Sequence, residues 1–309
     1  MIPIISSTAG GAIPDPAAAA IFQMDAGHFL DALPQQELFD LIVTSPPYNI
    51  GKAYEKEMPL DEFILWQREI ITKLCPLLKE TGSICWQTGS YVKKGAIRPL
   101  DIDLAPIFYD MGLKLRNRIV WRYGHGLHCK HRFSGRYETI LWFTKSEDYT
   151  FNLDAVRIPA KYPGKRSFRG KDRGQPSGNP LGKNPEDVWD IPNVTGNHVE
   201  KTAHPCQFPV GLVERLVLAL TNADGLVFDP FAGAASAGVA ALLHGRRFWG
   251  CEIREDYAGI GRERLEKTLS GEIRYRPHDK PIYDGSGSAQ AQFPMEWRKA
   301  DAGTAAAIK

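Results

Sequence analysis

One short segment, Thr44-Ser45-Pro46-Pro47-Tyr48-Asn49, combines hydrogen-bond acceptors, two prolines and an aromatic ring. An amino nitrogen on an aromatic base is a poor nucleophile because its lone pair is delocalised into the ring, so acceptors must hold its protons. The hydroxyl of Ser45 and the carbonyl of Pro46 can accept them, since proline lacks an N–H and its rigid φ fixes the direction of nearby carbonyls. Tyr48 offers a face on which an extruded base can stack. Ser45, Pro46, Pro47 and Tyr48 are therefore candidate catalytic residues for direct transfer to an amino group, without a metal.

A second segment, Val227-Phe228-Asp229-Pro230-Phe231-Ala232-Gly233, predicts a strand that ends in a tight turn, with small residues around Ser236 after it. A ligand can approach such a backbone closely. Glu252 follows at the end of the next predicted strand, where a carboxylate can bind both hydroxyls of a ribose. Ala234 and Ala235 stand where a pyrophosphate-binding turn would need glycine, and the sequence has no Gly-Lys-Ser or Gly-Lys-Thr phosphate loop. The segment therefore favours an adenosine-type cofactor without phosphates.

Strand and helix patterns alternate along the chain and place both segments at strand ends. Apolar runs bounded by turn residues predict strands, and apolar residues at helical spacing predict helices. Strands are predicted at 20–24, 39–43, 83–87, 118–122, 139–143, 226–228 and 248–252, and helices at 26–33, 61–78, 99–111, 209–221, 234–244 and up to Leu269. Gly82 is expected to stop the helix 61–78. The alternation predicts an α/β fold with one doubly wound, mostly parallel sheet.

Between about Asp154 and Thr202 the periodicity fades, and basic residues stand among Gly, Pro, Ser and Asn. This composition predicts a loop-rich insertion in the α/β pattern. Its basic side chains are candidates for binding DNA phosphates, while polar neighbours would contact base edges. They are Lys161, Lys165, Arg166, Arg169, Lys171, Arg173 and Lys183.

Composition allows this interpretation and restricts others. The chain has 309 residues, 43% of them hydrophobic, with a net charge of +2, so a DNA-binding surface must come from local clusters of Lys and Arg. No apolar stretch is long enough for a membrane helix and no signal peptide is visible, which predicts a cytoplasmic protein without membrane contact. The five cysteines are widely spaced and odd in number, so reduced thiols are expected.

The motifs and their order resemble the permuted, beta-type bacterial DNA amino-methyltransferases of the N4-cytosine and N6-adenine family, whose catalytic Ser-Pro-Pro-Tyr precedes the cofactor motif. The resemblance spans about residues 20 to 270. It implies a circularly permuted, Rossmann-like fold. It also implies an enzyme that uses S-adenosylmethionine, flips a base out of double-stranded DNA and takes part in restriction and modification. A cognate restriction endonuclease and a homodimer are expected as partners by the same analogy.

The resemblance also assigns roles to residues. Asp25, at the end of the strand before the catalytic one, would bind the adenine amino group of the cofactor, and the His204-Pro205 turn would touch its methionine part. The implied cofactor residues are Asp25, His204, Pro205, Asp229, Pro230, Phe231, Ala232, Gly233, Ser236 and Glu252. Where the family has Gly-Ser-Gly or similar, this chain has Ala234-Ala235-Ser236, so its backbone contacts are expected to differ.

The resemblance divides the chain into five parts. They are an N-terminal arm (1–19), the catalytic half of the methyltransferase domain (20–153), the target-recognition insertion (154–203), the cofactor-binding half (204–276) and a disordered tail (277–309).

Several alternatives stay open at this point. Ser45 in place of Asp favours N4 of cytosine over N6 of adenine, although some permuted adenine enzymes also carry Ser. A nicotinamide oxidoreductase would explain Glu252 but not Ser45 to Tyr48, and a non-catalytic DNA-binding protein would explain only the basic insertion. Cys206 as the nucleophile of a cytosine C5 enzyme lacks the companion motifs. A zinc site at His125, His128, Cys129 and His131 matches no standard spacing, so no metal is expected.

Overall fold

The computed structural model describes residues 2–6, 18–49, 51, 55, 57–283, 286 and 291. The strands of these residues are β1 (Ile4–Ile5), β2 (Ala19–Phe22), β3 (Phe39–Thr44), β4 (Leu78–Thr88), β5 (Ser90–Lys93), β6 (Ala96–Pro99), β7 (Lys114–Arg122), β8 (Tyr137–Thr144), β9 (Val188–Asp190), β10 (Leu226–Asp229) and β11 (Arg247–Cys251). The α-helices are α1 (Ala26–Ala32), α2 (Leu60–Leu74), α3 (Leu100–Asp110), α4 (Val210–Leu220), α5 (Ser236–Leu243) and α6 (Glu255–Leu269).

The main sheet has the strand order β1-β2-β11-β10-β3-β4-β8-β7-β9, and β5 and β6 form a separate hairpin. All neighbours in the main sheet are parallel except at β8, which runs antiparallel to β4 and β7. From β10 the chain passes through α5 to β11, whereas from β3 it passes through α2 to β4 on the other side. The winding therefore reverses between β10 and β3, and open α/β sheets bind ligands at the carboxyl ends of strands at such a point.

Helices cover both faces of the sheet and give it two cores. Helices α1, α2 and α3 pack on one face over an aromatic core, in which the rings of Phe39 and Phe228 stack with centroids 4.5 Å apart. Helices α4, α5 and α6 cover the other face with small and branched side chains. Helix α5 approaches β11 closely at Gly238, where a Cβ would lie 2.5 Å from the ring of Phe248. The helices on both faces thus support the sheet below the carboxyl ends of its strands.

The predicted bounds of two helices are wrong. The helix predicted at 61–78 ends at Leu74, and a 3-10 turn at Cys75–Leu77 leads into β4. Pro76 explains this end because its nitrogen cannot donate the next helical hydrogen bond. Gly82 is not a helix stop but lies within β4, where a Cβ would be 3.0 Å from the carbonyl of Phe39. Helix α5 begins at Ser236 and not at residue 234, because Ala235 adopts a φ of 53°.

Part of the predicted insertion belongs to the main sheet, which the sequence did not indicate. Strand β9 pairs in parallel with β7, and Trp189 is buried in the core beneath α4. Further out, the backbones of Ser167 and Gln175 pair at 2.9 Å in an exposed turn. The predicted boundaries near 154 and 203 both lie inside one compact unit, which extends to Asp279.

The predicted ends of the fold also need correction. Within the predicted N-terminal arm, Ile4–Ile5 pair with β2. The predicted tail begins too early, because the N–H of His278 donates to Oε2 of Glu214 at 2.7 Å and its carbonyl accepts from Arg215 at 3.0 Å. Most of the remaining tail, and all of 7–17, lie outside the described residues. No helix among the described residues is long and apolar enough to cross a membrane.

Candidate active site

The predicted catalytic and cofactor residues meet in one cleft at the carboxyl edge of the sheet. Strands β2, β11, β10 and β3 are parallel neighbours whose carboxyl ends lie side by side. Asp229 is the last residue of β10, and Asp25, Glu252 and Ser45 follow β2, β11 and β3. The cleft has a volume of about 250 Å³. Its lining includes Ser45, Pro46, Pro47, Tyr48, Asp25, His204, Asp229, Pro230, Phe231, Ala232, Gly233, Ser236 and Glu252. Of the predicted site residues outside the insertion, Pro205 alone is not part of this lining, and it is exposed.

The catalytic segment is held from both ends. At one end, the segment follows Thr44, the buried last residue of β3. At the other end, the side chain of buried Asn49 donates to the carbonyl of Met58 at 2.8 Å and accepts from its N–H at 2.7 Å. Asn49 adopts a φ of 59°, a left-handed conformation that asparagine tolerates better than most residues. The two proline residues between these anchors leave the segment little freedom.

The hydroxyl of Tyr48 lies in a polar cluster behind the catalytic segment. It is 2.9 Å from Oγ of Ser45, donates to Oε1 of Gln87 on β4, and lies 3.3 Å from Oε2 of Glu138 on β8. Burial raises the pKa of Tyr48 well above its ordinary value, and the neighbouring carboxylate of Glu138 raises it further. Burial likewise raises the pKa of Glu138, although the hydrogen bonds from Tyr48, Gln87 and Tyr123 oppose that shift. The ring of Tyr48 is therefore fixed by its hydroxyl.

Asp229 joins the cofactor loop to the catalytic strand. Its Oδ1 accepts from the hydroxyl of Thr44 at 2.6 Å and from the N–H of Phe231 at 3.0 Å. Burial raises the pKa of Asp229 to about 7, even though both hydrogen bonds lower it. This carboxyl therefore titrates near neutral pH, and a positive charge placed in the cleft would favour its ionised form.

Glu252 and Gly233 fix the turn of the cofactor loop. The N–H of Gly233 donates to Oε2 of Glu252 at 2.9 Å, and Oε1 accepts from the N–H of Arg254 at 2.8 Å. Gly233 has a φ of 50°, and a Cβ there would lie 2.9 Å from Nε2 of His204. Burial, with Lys201 and Arg264 nearby, lowers the pKa of His204 to about 4, so its ring is neutral at neutral pH.

A buried arginine supports the loop from below. Nη1 of Arg264 on α6 donates to Oγ of Ser236 at 3.0 Å and to the carbonyl of Ala234. The guanidinium also lies 4.0 Å from the carboxylate of Glu200, which accepts from the N–H of Val210 at 2.9 Å. These bonds tie the loop, the start of α4 and α6 together, and they show how Ala234-Ala235-Ser236 is stabilised without the glycines of the family pattern.

The charges of the cleft fit a cationic cofactor without phosphates. Its described lining carries the carboxyl groups of Asp25, Glu55, Asp229 and Glu252 but no Lys or Arg side chain. A pyrophosphate in this place would meet carboxylates without a compensating cation, whereas a sulfonium, an amine and ribose hydroxyls would find acceptors. These acceptors therefore fit S-adenosylmethionine. Among the described residues, no group of three His, Cys, Asp or Glu side chains is placed to hold a metal ion.

The predicted DNA-binding residues of the insertion are exposed except Lys183, which is half-buried and forms an ion pair with Glu186 at 2.9 Å. Nη1 of Arg166 donates to the carbonyl of Gly174 at 2.6 Å, which helps to close the exposed turn. The structure brings none of the predicted DNA-binding residues into the lining of the cleft.

Sequence patterns missed the residues that surround the two motifs. Trp66 on α2 packs on Phe231 with ring centroids 5.4 Å apart, and Tyr257 on α6 meets His204 edge-on at 4.5 Å. Gln87 and Glu138, which contact Tyr48, were also missed. Gln87 is a polar side chain at the end of a buried apolar run, which was the only available signal for it, whereas Glu138 precedes the apolar run 139–143 and gave no signal.

The fold and the cleft together define a Rossmann-like methyltransferase that depends on S-adenosylmethionine, which confirms the predicted fold class. PvuII DNA methyltransferase, described as cytosine-N4-specific, superposes with a TM-score of 0.65 at 22% identity, over 82% of this chain and 91% of that one. A Thermus thermophilus protein described as a DNA modification methylase, solved with S-adenosyl-L-methionine, gives a TM-score of 0.58 at 23% identity. That alignment covers 82% of this chain and 97% of the other.

The sequence comparisons give the family. The DNA methylase family of N6 and N4 methyltransferases matches residues 39–263. Type II methyltransferase M.BglII of Bacillus subtilis is 47% identical over 82% of this chain and 69% of its own length. DNA adenine methyltransferase YhdJ of Escherichia coli K12 is 34% identical over 81% of this chain and 83% of its own. The chain therefore belongs to the N6/N4 DNA methylase family, whose cofactor is S-adenosylmethionine, as the motifs predicted.

Proposed function

We propose that this chain transfers a methyl group from S-adenosylmethionine to N4 of a cytosine that has been flipped out of double-stranded DNA. The observation that carries this proposal is the placement of Ser45 to Tyr48 and the loop Asp229 to Gly233 in one cleft, joined by the hydrogen bond from Thr44 to Asp229. A base held by the first segment would lie beside a cofactor held by the second, as direct transfer requires.

Carboxylates hold the cofactor in this proposal. Glu252 lies at the end of β11 with its side chain in the cleft and accepts the ribose hydroxyls, while Asp25 accepts the adenine amino group. Asp229 supplies negative charge near the loop, and the neutral ring of His204 packs against Gly233. The cofactor supplies, when bound, an electrophilic methyl group on a positively charged sulfur.

The catalytic segment holds the amino group. Oγ of Ser45 and the carbonyl of Pro46 accept its two protons, which localises the nitrogen lone pair for attack. The ring of Tyr48, fixed through its hydroxyl, stacks on the base. No covalent bond between the protein and the base is needed, so these residues act by position and by hydrogen bonding.

Cytosine is the proposed target because the first catalytic position is Ser45, and Ser is the commoner residue there among enzymes that modify N4. The second candidate is N6 of adenine, which is favoured by the 34% identity to DNA adenine methyltransferase YhdJ. Both bases present an exocyclic amino group, so Ser45, Pro46 and Tyr48 would serve either one.

The basic insertion is proposed to contact DNA, with residues 154–203 as the target-recognition region and the exposed Lys and Arg side chains on phosphates. M.BglII and a second relative, M.ScaI of Streptomyces caespitosus at 38% identity, are Type II methyltransferases. By analogy with them, we infer that methylation protects a recognition sequence against a cognate restriction endonuclease. A homodimer stays a prediction of the family resemblance.

The deciding experiment is transfer of labelled methyl from S-adenosylmethionine to unmethylated bacterial DNA, followed by mass spectrometry of the nucleosides. N4-methylcytosine would support the proposal, and N6-methyladenine would replace it with the second candidate. Labelled DNA lacking both products, or the absence of label with DNA of varied sequence, would overturn it. The Ser45→Ala variant is the control for a contaminating enzyme.

A further inference from the structure

A chain of hydrogen bonds runs from the catalytic serine into the sheet. Oγ of Ser45 lies 2.9 Å from the hydroxyl of Tyr48, which donates to Oε1 of Gln87, and Nε2 of Gln87 donates to Oε2 of Glu138. Gln87 and Glu138 come from β4 and β8, which are antiparallel neighbours in the main sheet. The proposed mechanism gives Ser45 a role but leaves Gln87 and Glu138 without one.

The chemistry of each group fixes the direction of this chain. An ionised carboxylate only accepts hydrogen bonds, so Glu138 requires the amide nitrogen of Gln87 to face it. The amide oxygen of Gln87 then faces Tyr48, whose single hydroxyl proton points to Gln87 or Glu138. Since that proton is committed, Tyr48 can only accept from Ser45. The proton of Ser45 therefore points to Tyr48, and its lone pairs are left for a substrate amino group.

We propose that Glu138 is a positioning residue that sets the direction of this chain and so makes Ser45 an acceptor for the target amino group. This inference rests on the proposed function. If Glu138 were neutral, it could donate, the amide of Gln87 could turn over, and Tyr48 could donate to Ser45. The serine hydroxyl would then point its proton toward the amino group and hinder transfer.

The surroundings of Glu138 suit this task. Its side chain is bounded by Gln87 on β4, by Gly89 just after β4, by Tyr123 after β7 and by Tyr48 of the catalytic segment. The ionisable groups that act on these two tyrosines are Arg136 beside Tyr123 and Cys206 near Tyr48. Burial raises the pKa of Glu138 from its ordinary value, so this carboxylate takes up a proton at a higher pH than an exposed glutamate would. We expect activity to fall as the pH is lowered through that pKa.

The test uses the full chain, with transfer measured from pH 5 to 8 at saturating S-adenosylmethionine and DNA. The variant Glu138→Gln should lower kcat by about tenfold or more, the scale of one charged hydrogen bond. It should also lose the acid limb of the pH profile, while the affinity for S-adenosylhomocysteine and the KM for DNA stay within about twofold. Glu147→Gln is the matched control, because Glu147 is an exposed carboxylate just after β8 that pairs with Arg116 at 2.7 Å.

A double-mutant cycle distinguishes an effect on the direction of the hydrogen bonds from a general structural effect of the substitution. Glu138 is proposed to act on Ser45 only through the hydroxyl of Tyr48, so Glu138→Gln should cost nothing further in the Tyr48→Phe background. Full additivity, an unchanged kcat in Glu138→Gln, or an acid limb that survives in this variant would each overturn the proposal. If Glu138→Gln does not fold, the pH profile of transfer by Tyr48→Phe tests the proposal instead, because the acid limb should be absent from that profile too. A wild-type chain that transfers no label would instead refute the proposed function.

Discussion

The hydroxyl of Thr44 donates to Oδ1 of Asp229 at 2.6 Å, and this bond links the last residues of two neighbouring strands. Thr44 immediately precedes the catalytic segment, and Asp229 begins the cofactor loop. The two residues are 185 positions apart in sequence. Both side chains are buried, so the bond forms away from competing water and fixes the separation of the two halves of the site.

The first prediction concerns the pH dependence of cofactor binding. Burial raises the pKa of Asp229 to about 7, so the carboxyl loses its charge as the pH falls through neutrality. Because an ionised Asp229 attracts a sulfonium, the affinity for S-adenosylmethionine should be higher at pH 8 than at pH 6. Calorimetric titration across this range measures it. In Asp229→Asn the affinity should be lower and nearly independent of pH, and a pH dependence unchanged in that variant would assign the titration to another group.

The raised pKa of Asp229 also predicts that the stability of the fold changes with pH in the direction opposite to cofactor affinity. A carboxyl whose pKa is higher in the folded than in the unfolded state stabilises the fold while it is protonated, and this contribution is lost as the pH rises through the folded pKa. Without cofactor, Asp229→Asn should therefore raise the melting temperature relative to wild type, and more at pH 8 than at pH 5. Thermal unfolding followed by circular dichroism tests this. An equal change at both pH values would count against ionisation as the cause.

Thr44→Val should weaken both halves of the site. It keeps the shape of the side chain but removes the donor to Asp229, so the pKa of Asp229 should rise further and the midpoint of cofactor affinity should move to higher pH. The loss of one buried hydrogen bond should also cost about 1 to 3 kcal/mol of unfolding free energy. Thr44→Ser, which keeps the hydroxyl, is the control and should restore the wild-type midpoint.

Substitutions of catalytic residues and of cofactor-binding residues should differ in their effect on cofactor affinity. Ser45→Ala should reduce transfer by about a hundredfold or more while leaving cofactor affinity nearly intact, since Ser45 acts on the base. Glu252→Ala removes hydrogen bonds to a charged group and should weaken cofactor binding by about ten- to a hundredfold. Equal losses of affinity in both variants would contradict this division of roles.

The exposed basic side chains of the insertion should control the salt dependence of DNA binding. Each contact with a phosphate that is removed, as in Lys165→Ala or Arg169→Ala, should reduce the slope of log affinity against log salt by about 0.9. Lys183→Ala should change the slope less, because Lys183 already pairs with Glu186 at 2.9 Å. Fluorescence anisotropy between low and moderate salt measures the slopes. Identical slopes in all variants would place the DNA elsewhere.

The sequence by itself determined the parts of this protein that are built from adjacent residues. Ser45 to Tyr48 and Asp229 to Gly233 are continuous segments at the ends of buried strands, so residue types and local periodicity were enough to predict their places. Glu252 was found by its spacing after the turn. Because parallel strands end at a common edge, the alternation of strands and helices was also enough to bring these residues together.

Only the tertiary structure decided which residues support these motifs. Gln87 reaches Tyr48 from 39 positions away and Glu138 from 90. The first contact depends on the parallel pairing of β3 with β4, and the second also on the antiparallel pairing of β8 with β4. The same holds for β9, which enters the sheet from a segment without strand periodicity. Sequence periodicity reports which side of an element is buried, whereas partners across a sheet follow from strand order and register. These are set by the packing of the whole chain.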